Sequence, residues 1–172
     1  KLTGADWLEV KPGAVDLSEA TLGQCTMLKA DFSGARFMGA DLSDATFVEC
    51  QLDEVDFSGA TLTKATFVTC RGEGVSFQRA SLGQAVFVHG SLFPDADFSD
   101  ATMEKANLRG TLLAGARFDR ANLTGADLSE CDASQASFER ASLRGGVLVR
   151  TGLEGASLRG ALAGDGANTA VA

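Results

Sequence analysis

The sequence predicts an all-β repeat solenoid with a thin apolar core, and three observations predict it. Large apolar residues recur every five positions, a small residue stands two places before most of them, and the composition is repetitive, with 20 Gly, 11 Phe, 2 Pro and no Tyr in 172 residues. Short fixed periods belong to solenoids, in which each unit buries its side chain only against neighbouring units. Hydrophobic content of 45% with 22% charged residues belongs to a folded chain rather than a disordered one.

The period can be followed residue by residue. Steps of five from Leu2 meet Trp7, Pro12, Leu17, Leu22, Met27, Phe32, Phe37, Leu42, Phe47, Leu52, Phe57, Leu62, Phe67, Gly72, Phe77, Leu82, Phe87 and Leu92. Pro12 and Gly72 are the breaks. A one-residue insertion placed near 93–95 shifts the register, after which Phe98, Met103, Leu108, Leu113, Phe118, Leu123, Leu128, Ala133, Phe138, Leu143 and Leu148 carry it on towards Ala163. The array is read as one domain over 1–163, followed by a flexible C-terminal tail over 164–172.

The units include A-D-F-S-G from Ala30 and Ala96, A-D-L-S-D from Ala40, A-N-L-R-G from Ala106 and A-N-L-T-G from Ala121. In these the sequence resembles the pentapeptide-repeat family, whose unit is A-(D/N)-L-x-x. The resemblance covers nearly the whole chain. It implies a right-handed quadrilateral parallel β-helix with four units per coil, the large residue and the small one two before it both pointing inward. Residues about twenty apart should then stack as ladders of like side chains. Phe37, Phe57, Phe77, Phe98, Phe118 and Phe138 form one such ladder; Leu22, Leu42, Leu62, Leu82 and Met103 begin a second, and Met27, Phe47, Phe67 and Phe87 a third. About eight coils at about 4.8 Å each make a rod about 40 Å long.

Cys25, Cys50, Cys70 and Cys131 all occupy the small inward position, with no C-x-x-C spacing, so they are expected to be free core thiols. Cys50 and Cys70 fall on successive coils of one column, within disulfide reach by separation alone. His89, the lone histidine, falls on an outward corner with no nucleophile or carboxylate arranged around it. Asp31, Asp41, Asp56, Asp97 and Asp127 precede the large residue and are read as solvated or turn-bonding groups rather than general acids. No catalytic, cofactor or metal residue is assigned, and an enzyme is the least favoured class.

Function is therefore sought on the outer surface. Leu8, Leu28, Val48, Val68 and Val88 follow the large residue of one side, whereas polar residues prevail at the equivalent positions of the other sides, so Leu28, Val48, Val68 and Val88 are the candidate interface for a protein partner or a second copy. An acidic patch is expected from Asp41, Asp44, Glu49, Asp53, Glu54 and Asp56, within a segment of 1–56 that holds 11 acids against 4 bases. A net charge of −8 argues against direct binding of nucleic acid or anionic membrane. With no long apolar run and no signal-like start, a bacterial cytoplasmic setting is expected.

The leading reading is a non-enzymatic interaction or scaffold module. The family resemblance implies an alternative, an acidic rod that imitates duplex DNA and occupies DNA gyrase in the manner of quinolone-protection proteins. Such rods dimerise through a C-terminal apolar helix and several carry projecting loops, whereas residues 163–172 are Gly- and Ala-rich and the insertion is a single residue. A second alternative, an accessory or effector part of a bacterial secretion apparatus, rests on F-V-E-C from Phe47 and F-V-T-C from Phe67.

Overall fold

Every fifth side chain is too large and apolar to leave in water, so the backbone must bend often enough to keep those side chains on a common axis. It does so with tight turns. The Ala40 N–H donates to the Phe37 carbonyl at 3.0 Å, and the residue at the corner takes a left-handed φ, +56° at Glu54 and +60° at Arg120. That is the geometry of a type II turn. A non-glycine residue there costs roughly 1 kcal/mol, and the coil-to-coil bonds hold it in place, as where the Arg120 N–H donates to the Glu139 carbonyl at 2.8 Å.

The structure, a computed structural model, describes residues 2–88 and 90–164. The chain winds into a four-sided parallel β-helix, with no helix among the described residues. One side is a continuous parallel sheet of β1 (Asp6–Leu8), β2 (Thr26–Leu28), β3 (Thr46–Val48), β4 (Thr66–Val68) and β5 (Val86–Val88), in that order. Trp7, Met27, Phe47, Phe67 and Phe87 stand opposite one another in its register. We call this the first face; in chain order the second carries Phe93, the third Phe77 and the fourth Leu82. On the third face Asp16, Arg36, Asp56, Ser76, Asp97, Arg117, Ser137 and Ser157 form one unbroken bridged ladder, one residue per coil.

The core is built from stacked rings. Phe57 to Phe77, Phe77 to Phe98, Phe98 to Phe118 and Phe118 to Phe138 have centroid distances of 5.1, 4.8, 4.8 and 4.8 Å with planes within 7°. Phe47, Phe67 and Phe87 stack at 4.7 and 4.6 Å. The ring spacing is the coil spacing, and edge-to-face contacts join the columns, as between Phe77 and Phe87 at 6.0 Å.

The insertion lies earlier in the chain than 93–95. Partners are 20 residues apart through Thr66↔Val86 and 21 apart from Arg71↔Leu92, returning to 20 at Leu92↔Leu112. The added residue therefore falls between Val88 and Ser91. In consequence Phe93, not Leu92, is the core residue of its unit, fully buried, and Leu92 points outward. Close packing explains Gly72. A Cβ there would meet Val75 Cγ2 at 2.5 Å and Leu52 Cβ at 3.1 Å, and Phe93 of the following coil packs edge-on against Phe67 and Phe77, at 5.9 and 6.0 Å. The tail expected over 164–172 lies, from residue 165 onward, outside the described residues.

One corner column replaces Ala with donors. On the turn-bearing sides a turn N–H satisfies the carbonyl of the large residue; along β2–β5 no such turn bond forms among the described residues. The carbonyls of Met27, Phe47, Phe67 and Phe87 instead accept from Cys50 Sγ (3.2 Å), Cys70 Sγ (3.4 Å), Ser91 Oγ (3.2 Å) and Thr111 Oγ1 (3.0 Å) of the next coil. Cys131 and Thr151 continue the column, donating to Leu108 and Leu128 at 2.8 Å each. The thiols and hydroxyls here each add a bond to a buried carbonyl, and Leu108 and Leu128 also keep turn N–H donors, from Thr111 at 3.0 Å and Cys131 at 3.3 Å. All four cysteines are free and buried. Burial pushes the Cys131 thiol up to about 12; the Cys70 thiol is raised by its contact with Cys50 and by burial.

Candidate functional site

The short polar residues of the repeat decide which side chains are committed to structure. An Asp before the large residue turns back and accepts the N–H of the residue after it: Asp31 from Ser33 (3.1 Å), Asp41 from Ser43 (3.1 Å), Asp56 from Ser58 (2.8 Å), Asp97 from Ser99 (2.9 Å) and Asp127 from Ser129 (2.9 Å). Asn107 and Asn122 do the same for Arg109 and Thr124. These bonds explain the Asp/Asn preference of the repeat. The Ser33 and Ser43 hydroxyls and then the same N–H groups hold Asp31 and Asp41 below the usual carboxylate range. Among the described residues no group of His, Cys, Asp and Glu is arranged to hold a metal ion.

The apolar stripe is set by the strands. In β1–β5 the residue after the large one stays extended instead of entering a turn, so Leu8, Leu28, Val48, Val68 and Val88 stand in register on adjacent strands. Leu28, Val48, Val68 and Val88 are half-buried and Leu8 is exposed. The second outward column is Asp6, Thr26, Thr46, Thr66 and Val86, so over β2–β5 these two columns carry no charge. The equivalent positions on the third and fourth faces are Ser18, Met38, Ser58, Gln78 and Ser99, and Thr3, Gly23, Ser43, Thr63 and Gly83. Strand and stripe end together, for after β5 the same positions become Arg109, Ser129 and Val149 on a turn-bearing side.

The six acids do not form one patch. They span a single turn of the solenoid and so ring the rod: Asp41 on the fourth face, Asp44 at its corner with the first, Glu49 at the next corner, Asp53 on the second face, Glu54 at its corner with the third, and Asp56 on the third. Asp53 and Glu54 are instead brought beside Glu73 and Asp95, which are remote in sequence, and with Gly74 they line a shallow groove. The Glu73 N–H donates to Asp53 at 2.9 Å. Arginines answer the carboxylates of the C-terminal half: Arg120 grips Asp100 through two bonds of 2.7 Å, Arg109 and Arg150 both reach Glu130, and Arg117 lies between Asp97 and Asp119.

The register shift exposes a further apolar group. Leu92 pairs with Leu112 on the outside of the second face, flanked by Pro94 and Ala114. Leu112 is 44% exposed. The five-residue count hid this pair, because it placed Leu92 in the core. Two adjacent large residues, Leu92 and Phe93, directly after Gly90 and Ser91 were the available signal. His89 lies outside the described residues.

Comparison with known proteins supports the same architecture. The family model described as a pentapeptide repeat region matches over 2–77, 20–93 and 40–118, and the model for pentapeptide repeats in eight copies matches over 121–160. No curated protein matches the chain in sequence. Among solved structures, a trypsin-treated QnrB1, a plasmid-mediated fluoroquinolone resistance protein, is 24% identical, with a TM-score of 0.82 over 96% of this chain and 86% of that one. Full-length QnrB1 is 23% identical, with a TM-score of 0.64 over 96% and 87%. At these identities the likeness is one of fold. With its repeat, its coil and its inward ladders all of one kind, the chain belongs to the pentapeptide-repeat family.

Proposed function

We propose that this chain is a non-enzymatic interaction module that holds a protein partner against its first face, with Leu28, Val48, Val68 and Val88 as the contact line. One observation carries the reading: among the described residues, the one side of the rod that forms strands, β1–β5, is also the side whose outward residue is apolar in five successive coils. Outward Val and Leu on a flat sheet add contact area without the ordering cost of long side chains, and contiguous apolar surface on a polar rod marks contact with another molecule. Pentapeptide-repeat proteins are in general structural or interaction modules, which agrees with this reading.

The test is capture of partners from a native bacterial lysate by the full chain and by Val68→Asp. Val68 is half-buried and outward, so the charge should leave the circular dichroism spectrum intact and abolish a specific capture. Equal capture by both chains would remove the strand face from consideration. On this reading the chain leaves DNA gyrase supercoiling unaffected at micromolar concentration. Inhibition, or relief of quinolone inhibition, would favour the DNA-mimicking alternative.

A further inference from the structure

We propose that the second face is a separate docking ledge, on which Leu92, Pro94 and Leu112 anchor an apolar side chain of a partner segment whose basic residues lie over Asp53, Glu54, Glu73 and Asp95. The inference does not rest on the strand-face reading, since it concerns another side of the rod.

The apolar part is a consequence of the insertion. The outward column of this face runs Asp31, Gln51, Arg71, Leu92, Leu112, Asp132, so two aliphatic residues interrupt a polar series at one place. Pro94 and Ala114, the outward residues on the other side of the core position, widen the interruption. The backbone does not require this. Leu92 and Leu112 donate ordinary ladder bonds to the Cys70 and Ser91 carbonyls at 2.9 and 3.1 Å, which any residue but proline could make.

The electrostatics choose the occupant. Beside the ledge and in the two coils before it, Asp95, Glu73, Asp53 and Glu54 line a groove floored by Gly74, whose missing side chain leaves open space. None of these four carboxylates takes part in an ion pair among the described residues, whereas Asp97, Asp100, Asp119 and Glu130 all do. Arg71 is the one cation beside them in the outward column, so the groove keeps an excess of negative charge. A second copy of this chain, itself at −8, is a poor match; a basic segment with one apolar residue is a good one. Coils rise about 4.8 Å and an extended chain about 3.3 Å per residue. A Lys or Arg two to four residues from the anchor therefore reaches Glu73 and then Asp53 and Glu54.

The full chain can be used to select from a random dodecapeptide library displayed on phage. Enriched peptides should carry Lys or Arg two to four residues from a Leu, Phe or Trp. The best of them should bind Leu112→Ser about tenfold more weakly, and the double variant Glu54→Gln/Glu73→Gln about threefold to tenfold more weakly with a shallower salt dependence. Val68→Asp should bind it as the unaltered chain does, which keeps failure here distinct from failure of the strand face. Absence of enrichment, a consensus without basic residues, or affinity unmoved by Leu112→Ser would overturn the proposal. So would a concentration-dependent dimer, seen by sedimentation and lost in Leu112→Ser, which would assign the ledge to a second copy.

Discussion

Replacing Phe77 by Ala removes a ring that is wholly buried, stacked on Phe57 at 5.1 Å and on Phe98 at 4.8 Å, and met edge-on by Phe67, Phe87 and Phe93 at 6.0 Å each. A Phe-to-Ala change in a core costs about 3–5 kcal/mol, and the figure rises when the site cannot collapse. Here it cannot, because the Phe77 N–H is bonded to the Asp97 carbonyl at 2.7 Å and coils press from both sides. The cost should lie near 5 kcal/mol. Phe138 is the contrasting case, with a single stacked neighbour, Phe118 at 4.8 Å, and beyond it Leu158, which is 44% exposed. Water can enter there, and Phe138→Ala should cost nearer 3 kcal/mol. In urea unfolding followed by far-ultraviolet circular dichroism, the midpoints should fall by about 2 M and about 1 M respectively. Equal shifts, or shifts below about 0.3 M in both, would refute a core held by nearest-neighbour stacking.

Other consequences are smaller and equally direct. Thr111→Val keeps the shape of the corner and deletes the O–H bonded to the Phe87 carbonyl at 3.0 Å, so it should lower stability by about 1–3 kcal/mol in the same titration. The four thiols are buried and should be silent to Ellman's reagent in the native chain at mild alkaline pH, then react fully in guanidinium. The carboxylates of Asp16, Asp31 and Asp41 are held below their usual range, each first by the hydroxyl of the serine two residues on. Their contribution is fully present above the unfolded value of about 3.9 and is lost as pH falls through the lower folded value. Thermal stability should accordingly be level from about pH 5 to 8 and decline below about pH 4.

The fold was legible because burial imposes a period that composition cannot disguise. A large residue every five positions and rings twenty apart are what a narrow four-sided tube requires, and the ring columns form as the ladders implied. The register around the insertion was not legible. Leu92 and Phe93 are both large and apolar, so counting from the N-terminal side accepts Leu92, and only the pairing of Leu92 with Arg71 and Leu112 shows which of the two is outward. Cys50, Cys70 and Cys131 read singly as small apolar residues. Their kinship with Ser91, Thr111 and Thr151 emerges from a shared bond to the carbonyl of the large residue one coil back, which three-dimensional stacking shows and residue type does not.

The outer surface divides in the same way. The first-face stripe could be read because one position of one side repeats Leu or Val for five turns. The acids could not be placed, since neighbours in sequence go to different sides of the rod. Asp53 and Glu73 meet because one turn of the solenoid separates them, and Asp95 joins them because it falls one turn on from Gly74, the residue beside Glu73. A run of charge in a solenoid sequence is thus a ring in space, and a charged patch in space is a series at the coil period.

The claim that matters most is which face holds the partner. A photoreactive benzoylphenylalanine placed at Val68 on the strand face, and in separate chains at Thr61 and Ser76 on the fourth and third faces, reports this in a single irradiation of the captured complex. The account predicts a cross-linked adduct from position 68 and none from 61 or 76. Adducts from the third or fourth face with none from the strand face would contradict it.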